Sequence, residues 1–135
     1  MIDRAGIEAI VRATYAARVR GDVDGTVHHF DQNATFRLVG DTAASPVPGI
    51  AAGSEKFRAL LAGLIKAFTF HSYDIVDMVV EGSKAAVRTR IRVTSTVTGQ
   101  TAETETADFI EVKDGRIISF VQYCDTALAA KLATK

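Results

Sequence analysis

The chain has 135 residues, of which 47% are hydrophobic, so it can bury one sizeable core and is expected to form a single domain over residues 1–135. Sixteen Lys and Arg balance sixteen Asp and Glu, and zero net charge argues against nucleic acid or an anionic membrane as a partner. No run of about 18 apolar residues occurs, and no basic patch precedes an apolar stretch at the start, so a cytoplasmic location is expected. The only cysteine, Cys124, can form no internal disulfide.

Helices are predicted in the first half of the chain. The first extends from about Asp3, a capping residue, to Arg20, and Gly21 ends it where a left-handed residue costs little. Its residues at helical spacing are Ile7, Ile10, Val11, Thr14 and Arg18. Asp22 is expected to cap a shorter second helix that ends near Asn33.

A strand, ATFRLVG, and a long surface loop, DTAASPVPGIAAG, lead to a third helix that Ser54 is expected to cap. The apolar stripe of this helix comprises Phe57, Leu60, Leu61, Leu64, Ile65 and Phe68.

From Thr69 onward the apolar period changes to two, and Gly-bearing turns separate four segments. These segments are TFHSYDIVDMVVEG, KAAVRTRIRVTSTVTG, QTAETETADFIEVKDG and RIISFVQYCDT. Consecutive strands joined by tight turns form an antiparallel meander. The sequence therefore predicts an α+β fold, in which three helices cover one face of a strongly curved, mostly antiparallel sheet.

Three segments carry a likeness to a known family, and this likeness covers nearly the whole chain. The segments are YAARVRGDVDGTVHHFDQNATF, PGIAAGSEKFRALL and KDGRIISFVQYCDT. With the order of the elements, they resemble the family named for nuclear transport factor 2, which includes ketosteroid isomerase and the SnoaL-like polyketide cyclases. The resemblance implies a cone-shaped roll around a conical pocket, and a homodimer. It is specific to the fold and weak about activity.

Ketosteroid isomerases offer three positions for comparison. Their general-base aspartate in the first strand corresponds to Leu38 here, so that base is absent. Their oxyanion tyrosine in the first helix corresponds to Thr14, and Tyr15 lies about 100 degrees further around the helix. Their second oxyanion donor, an aspartic acid on the penultimate strand, corresponds to Asp108.

Asp108 is the leading candidate for a catalytic residue. In the predicted strand ETETADFIEV side chains alternate, so its face also carries Thr104, Thr106, Ile110 and Val112. Burial on that face disfavours the charged carboxylate and raises its pKa, which would allow a neutral Asp108 to donate a hydrogen bond to a ligand oxygen. The alternative is a structural pair with an arginine or the backbone.

The strand register decides where Arg90 lies. A two-residue turn at Gly99 and Gln100 would pair Ile91 with Asp108 and place Arg90 on the opposite, charged face. The same register sets Arg88 against Glu111 and Arg92 near Glu105.

A bulge or a longer turn would instead bring Arg90 to the side of Asp108. The likeness to limonene epoxide hydrolases favours this second arrangement. Their Arg and two Asp correspond to Arg90, Arg92 and Gln122, so only the arginine is retained.

Further candidates for a ligand pocket are His29, Phe36, Leu38, Phe120 and Gln122. His29 precedes the inward Phe30 and either faces the pocket as an acid or base or packs between helices. Gln122 can offer its amide to the cavity, and Tyr15 its phenol, although a tyrosine at a helix edge is the commoner case. His28 and His29 have no partner at the spacing of a zinc site, so no metal is expected.

The sequence predicts a pocket for a small, largely apolar, oxygen-bearing molecule and needs no cofactor. Proton-transfer chemistry such as isomerisation, cyclisation or dehydration would use Asp108 as the proton donor, with Arg90 or Tyr15 stabilising negative charge. One alternative is a ligand carrier without chemistry, favoured by Leu38. Another is a dimeric interaction module whose cavity is filled by its own side chains, including Phe36 and Phe120.

A homodimer is expected from the pattern of the sheet. Apolar residues occur on both faces, with Ile91 and Val93 on one and Phe109 on the other. Three helices cannot cover both faces.

Overall fold

The computed structural model describes residues 3–44 and 47–134 and contains six strands in one sheet. The helices are α1 (Arg4–Val19), α2 (Val23–Val27), α3 (Ser54–Ala67) and α4 (Thr126–Ala133). The strands are β1 (Phe30–Leu38), β2 (Gly49–Ala52), β3 (Phe68–Glu81), β4 (Lys84–Ser95), β5 (Thr101–Lys113) and β6 (Arg116–Cys124). Their order is β2-β1-β6-β5-β4-β3, and each neighbouring pair is antiparallel except β1 with β6. The predicted α+β class and the four-strand meander are confirmed.

The first two helices begin as the capping pattern predicts. The Asp3 carboxylate accepts a hydrogen bond from the Gly6 amide at 2.8 Å, and Asp22 accepts from the Gly25 amide at 2.8 Å. The second helix is shorter than predicted, because β6 draws the chain into the sheet at Phe30 rather than beyond Asn33.

The segment before α3 differs from the predicted loop in two ways. Part of it is β2, which pairs with β1, while Ser45 and Pro46 of that loop lie outside the described residues. The predicted cap at Ser54 is wrong, because Gly53, with φ 92°, occupies the capping position and Ser54 is the first helical residue. The apolar stripe of α3 does enter the core, where Phe57 and Leu61 are buried.

The fourth helix was not predicted from the sequence. Asp125 caps α4 by accepting from the Leu128 amide at 3.0 Å, and Leu132 packs with Phe68, Ile91 and Val93. None of the helices in the described ranges is long and apolar enough to cross a membrane.

The connection between β4 and β5 is longer than the predicted two-residue turn. It comprises residues 96–100, and the Ser95 hydroxyl accepts from the Val97 and Thr98 amides at 3.2 Å each. Asp108 therefore faces Val87 rather than Ile91, four residues away. A shift by an even number of residues keeps the same side chains on each face, so Asp108 still lies on the inner face.

Two bulges interrupt the pairing of β3 with β4. The register shifts between Phe70 and Ser72 and again between Ile75 and Asp77, so His71 and Val76 are the extra residues. Each bulge reverses the alternation of side chains relative to β4. The inner positions of β3 consequently run in three pairs: Phe68 and Phe70, Tyr73 and Ile75, and Met78 and Val80.

The outer face of the sheet combines charges with an apolar row. Arg88 pairs with Asp77 at 2.7 Å and Glu105 at 3.1 Å, so the predicted charged ladder is present. Its partners differ from those predicted, since Arg88 faces Ala107 and Arg92 faces Glu103.

A second feature of the outer face is an apolar row that crosses four strands. Val79, Ala86, Phe109 and Val121 are direct cross-strand neighbours in that order, and we refer to them as the outer row. Val79 and Phe109 are 63% and 52% exposed, so two large apolar side chains of the outer row face solvent on either side of Ala86.

Candidate functional site

A cavity of about 110 Å³ lies between the helices and the inner face of the sheet. Four aromatic rings form one part of its wall, with centroids 4.3 to 6.0 Å apart: Phe30, Phe36, Phe57 and Phe120. Leu38 and Gln122 also line it. The rings leave space beside them, so the cavity is not filled by the protein's own side chains.

Asp108 is fully buried and does not line the cavity itself. Its Oδ2 accepts a hydrogen bond from the Tyr15 hydroxyl at 2.6 Å, and its Oδ1 accepts from the Gln122 amide at 3.0 Å. The Tyr73 hydroxyl is 3.4 Å from Oδ2, a long contact. Tyr15, Tyr73 and Gln122 line the cavity, so Asp108 can influence a bound ligand through its contacts with these three side chains.

The two tyrosines form a stacked pair. Their ring centroids are 4.4 Å apart with an interplanar angle of 16°, and the Gln122 amide donates to the Tyr73 hydroxyl at 3.1 Å. Tyr15 comes from α1 and Tyr73 from β3, so the pair joins the helical layer to the sheet. Thr14 also lines the cavity, but its hydroxyl donates to the Ile10 carbonyl of its own helix at 2.7 Å.

Burial controls the protonation of this cluster. It raises the pKa of Asp108 to about 6, and the hydrogen bonds from Tyr15, Gln122, Tyr73 and Thr106 oppose the shift without cancelling it. Burial, and then the nearby Asp108 carboxylate, hold the pKa of Tyr15 and of Tyr73 well above the usual range. Both phenols are therefore neutral near pH 7.

The protonation state of Asp108 decides what the tyrosines can offer a ligand. A charged Asp108 only accepts hydrogen bonds, so Tyr15 donates to it and has lone pairs left for the cavity. A neutral Asp108 can donate to Tyr15 instead, which frees the phenolic hydrogen for a ligand oxygen. Tyr73 accepts from Gln122 and is only loosely tied to Asp108, so its hydrogen can serve a ligand in both states.

Two of the predicted site residues lie elsewhere. Arg90 does not face the cavity, because the even register shift leaves it on the outer face opposite Glu105. Its guanidinium nitrogens are 3.7 Å from Glu105 and 3.9 Å from Glu103. His29 does not line the cavity either, since α2 has already ended, and its ring packs against that of His28 with centroids 5.2 Å apart.

Tyr73 and Arg18 are among the cavity residues that were not predicted from the sequence. Tyr73 was not predicted because simple alternation from Phe68 and Phe70 places its side chain on the outer face of the sheet. The bulge at His71 turns it to the inner face. Arg18 could have been found, since it belongs to the inner series of α1 with Val11 and Thr14. A charged residue at an apolar position of a helix is the signal that identifies it.

Neither the cysteine thiol at the cavity nor a metal site provides further reactive chemistry within the described residues. Burial raises the pKa of the Cys124 thiol, which keeps it protonated and makes it a packing residue. Within residues 3–44 and 47–134 there is no group of three or more His, Cys, Asp or Glu side chains that could hold a metal ion.

The sequence also matches a known family along most of its length. The profile that matches residues 11–120 describes a SnoaL-like domain. The chain belongs to the SnoaL-like domain family. No curated protein matches it.

Solved structures show the same fold as this SnoaL-like domain at low sequence identity. An NTF2-like protein of unknown function from Burkholderia pseudomallei is 20% identical, with a TM-score of 0.83 over 96% of this chain and 98% of that one. A protein assigned as an isomerase from Bacillus subtilis is 16% identical, with a TM-score of 0.87 over 98% and 95%.

A third structure contains a small molecule. It is a Catenulispora acidiphila protein with a ketosteroid isomerase-like fold, in complex with trimethylamine. It is 14% identical, with a TM-score of 0.78 over 92% of this chain and 91% of that one. These likenesses establish the NTF2-like fold predicted from the sequence, and at such identities they establish the fold alone.

Proposed function

We propose that this SnoaL-like domain binds a small, largely apolar molecule through a carbonyl or hydroxyl oxygen and promotes proton transfer at it, as in isomerisation, cyclisation or dehydration. The observation that carries the proposal is the hydroxyl pair of Tyr15 and Tyr73 at the wall of an apolar cavity, backed by the buried Asp108. The assignment of the Bacillus subtilis protein as an isomerase and the trimethylamine complex of the Catenulispora acidiphila protein are consistent with it.

The chemistry that the site could supply is electrostatic. When a proton passes from a carbon next to a carbonyl to a water molecule or a dissolved base, negative charge develops on the carbonyl oxygen, and preorganised hydroxyl donors stabilise that charge. Tyr73 would donate directly, and Tyr15 would donate once Asp108 carries its proton. Asp108 then acts through Tyr15 as a positioning residue.

A carrier that binds the same ligand without reaction is the second candidate. Leu38 favours this candidate. It lines the cavity and corresponds to the general-base aspartate in the sequence resemblance to ketosteroid isomerases, and a leucine cannot accept a proton. Asp125 is the cavity residue with a carboxylate, and that carboxylate already caps α4.

We predict that replacing Tyr73 by phenylalanine weakens binding of cyclohex-2-en-1-one, a one-ring ketone, by about tenfold, the value of one hydrogen bond to an uncharged acceptor. Isothermal titration at neutral pH measures this. The matched control is Tyr123→Phe, since Tyr123 lies on the outer face and is 47% exposed. Equal affinities for the wild type and both variants would contradict the proposal.

Turnover separates the two candidates. Conversion of cyclohex-3-en-1-one into the conjugated ketone is followed by its ultraviolet absorbance. Acceleration by the wild type that is lost in Tyr73→Phe supports proton-transfer catalysis. Binding of the conjugated ketone without any acceleration supports the carrier.

We also propose that the protein forms a homodimer through the outer row. Phe109 contacts Tyr123 edge-on, with ring centroids 5.9 Å apart, and together with Val79 they extend the apolar surface. A second copy of the same face would cover these side chains by self-complementary packing.

We expect sedimentation at micromolar protein to give a species near twice 14.5 kDa, and Phe109→Glu to reduce it to a monomer. Burying an unpaired carboxylate in a dimer interface is costly. Val97→Glu, which places the same charge at an exposed apolar residue of the β4–β5 loop, should leave the dimer intact. A wild-type monomer, or a dimer in Phe109→Glu, would contradict this assignment.

A further inference from the structure

Arg18 is a cation at the wall of an otherwise apolar cavity. It comes from the last turn of α1, and its guanidinium lies over the ring of Phe70, with 3.8 Å between the guanidinium carbon and the ring centroid. A guanidinium stacked on a ring uses its flat face and keeps its N–H groups, which lie at its edges, available for hydrogen bonds. The Arg18 side chain can therefore donate to a ligand without giving up its packing.

No carboxylate among residues 3–44 and 47–134 lies within 4.0 Å of the Arg18 guanidinium, and none of their atoms accepts a hydrogen bond from it. The arginines that do form ion pairs lie on the surface. Burial lowers the pKa of Arg18 to about 10, which still leaves it charged at neutral pH. A partly buried cation without a counter-ion is a costly feature for a structural role alone.

We propose that Arg18 selects a ligand with a carboxylate group, so that the SnoaL-like domain takes a small, largely apolar carboxylic acid in its ionised form. This rests on the function proposed above and adds the charge of the ligand to it. The carboxylate would pair with the N–H edge of Arg18, the arrangement in which guanidinium and carboxylate match in shape. The rest of the molecule would fill the cavity.

The position of Arg18 relative to the tyrosines fits one molecule that meets both. Tyr15 and Arg18 are three residues apart in α1, so they are neighbours on one side of the helix. The Phe70 ring under Arg18 packs against Tyr73 with centroids 5.5 Å apart. Arg18 is also close enough for its charge to lower the pKa of Tyr73 against the effect of burial. A carboxylate at Arg18 thus leaves the remainder of a small ligand beside the two hydroxyls.

The opposite preference, for a cationic ligand, would depend on Asp125, which also lines the cavity. Its carboxylate accepts from the Leu128 amide at 3.0 Å as the cap of α4 and is exposed to water. Both features weaken its attraction for a bound cation.

Benzoate and benzamide test the proposal, because they have nearly the same size and shape and differ in charge. At neutral pH, isothermal titration of the wild type should show benzoate bound about ten- to a hundredfold more tightly than benzamide. Arg18→Met keeps an apolar stem over Phe70 and should abolish the preference. Arg18→Lys keeps the charge but loses the planar guanidinium, so it should retain only part of the preference. Arg12→Met removes an exposed arginine of the same helix and should retain all of it.

Each outcome has a separate meaning. If benzamide binds as tightly as benzoate, or if the preference survives in Arg18→Met, Arg18 does not select an anion, while the proposed binding function stands. If benzylamine binds more tightly than both and loses its advantage in Asp125→Asn, the charge assignment is reversed. If none of the three binds at millimolar concentration, both the inference and the proposed binding function are contradicted.

Discussion

The free energy of unfolding of the wild type, relative to that of an Asp108→Asn variant, is expected to fall by about 3 kcal/mol as the pH rises from about 3 to about 8. The reason is the pKa of Asp108, which burial raises from 3.8 to about 6. Between these values the unfolded chain has released the proton while the folded protein still holds it. Rising pH therefore favours the unfolded state until Asp108 ionises in the folded state as well.

Denaturant unfolding of both proteins at a series of pH values measures this difference, and the comparison cancels the other titrating groups. Carboxyl NMR of Asp108 should place its titration near pH 6. A difference that stays constant across the range would show that folding leaves the pKa of Asp108 unchanged, and one that rises with pH would show that the folded protein stabilises the carboxylate as an anion. Either result would contradict the prediction.

Replacing Leu61 by alanine is expected to lower the free energy of unfolding by about 2 to 5 kcal/mol, through lost burial and a residual cavity. Leu61 is 3% exposed on the side of α3 that packs on the core. Leu64→Ala should cost less, because Leu64 is partly exposed and already borders open space in the cavity.

Urea unfolding curves of the two leucine variants give these values. Lys56→Ala, at an exposed position of the same helix, serves as the control and should change stability by no more than about 0.5 kcal/mol. A midpoint unchanged in Leu61→Ala would contradict the packing of α3 described above.

The sequence was informative about this fold wherever the local pattern and the tertiary structure agree. Asp3 and Asp22 carry the capping chemistry that starts α1 and α2, and both act as caps. The strands of the meander alternate over most of their length, so Asp108 could be placed on the inner face without knowledge of the register. Phe120 and Gln122 were placed beside the cavity by the same alternation.

The parts that the sequence did not reveal depend on interactions between distant segments. The β4–β5 loop is closed by Ser95, whose hydroxyl also donates to the Leu132 carbonyl of α4, and no local pattern encodes that contact. The position of Arg90 depended on that loop. The inward position of Tyr73 depended on a bulge that neither of the two strands signals alone.

The paired bulges of β3 also determine how this strand can change in length. Removing a residue from a regular strand turns over every side chain beyond it, but His71 and Val76 are bulge residues and have no residue directly opposite them in β4. A chain without His71 would keep Tyr73 opposite Ile91, and one without Val76 would keep Met78 opposite Val87. What would change is the local bend that each bulge imposes on the strand. Relatives can thus differ by one residue at either position and alter the curvature of the sheet over the cavity while keeping the same side chains inside it.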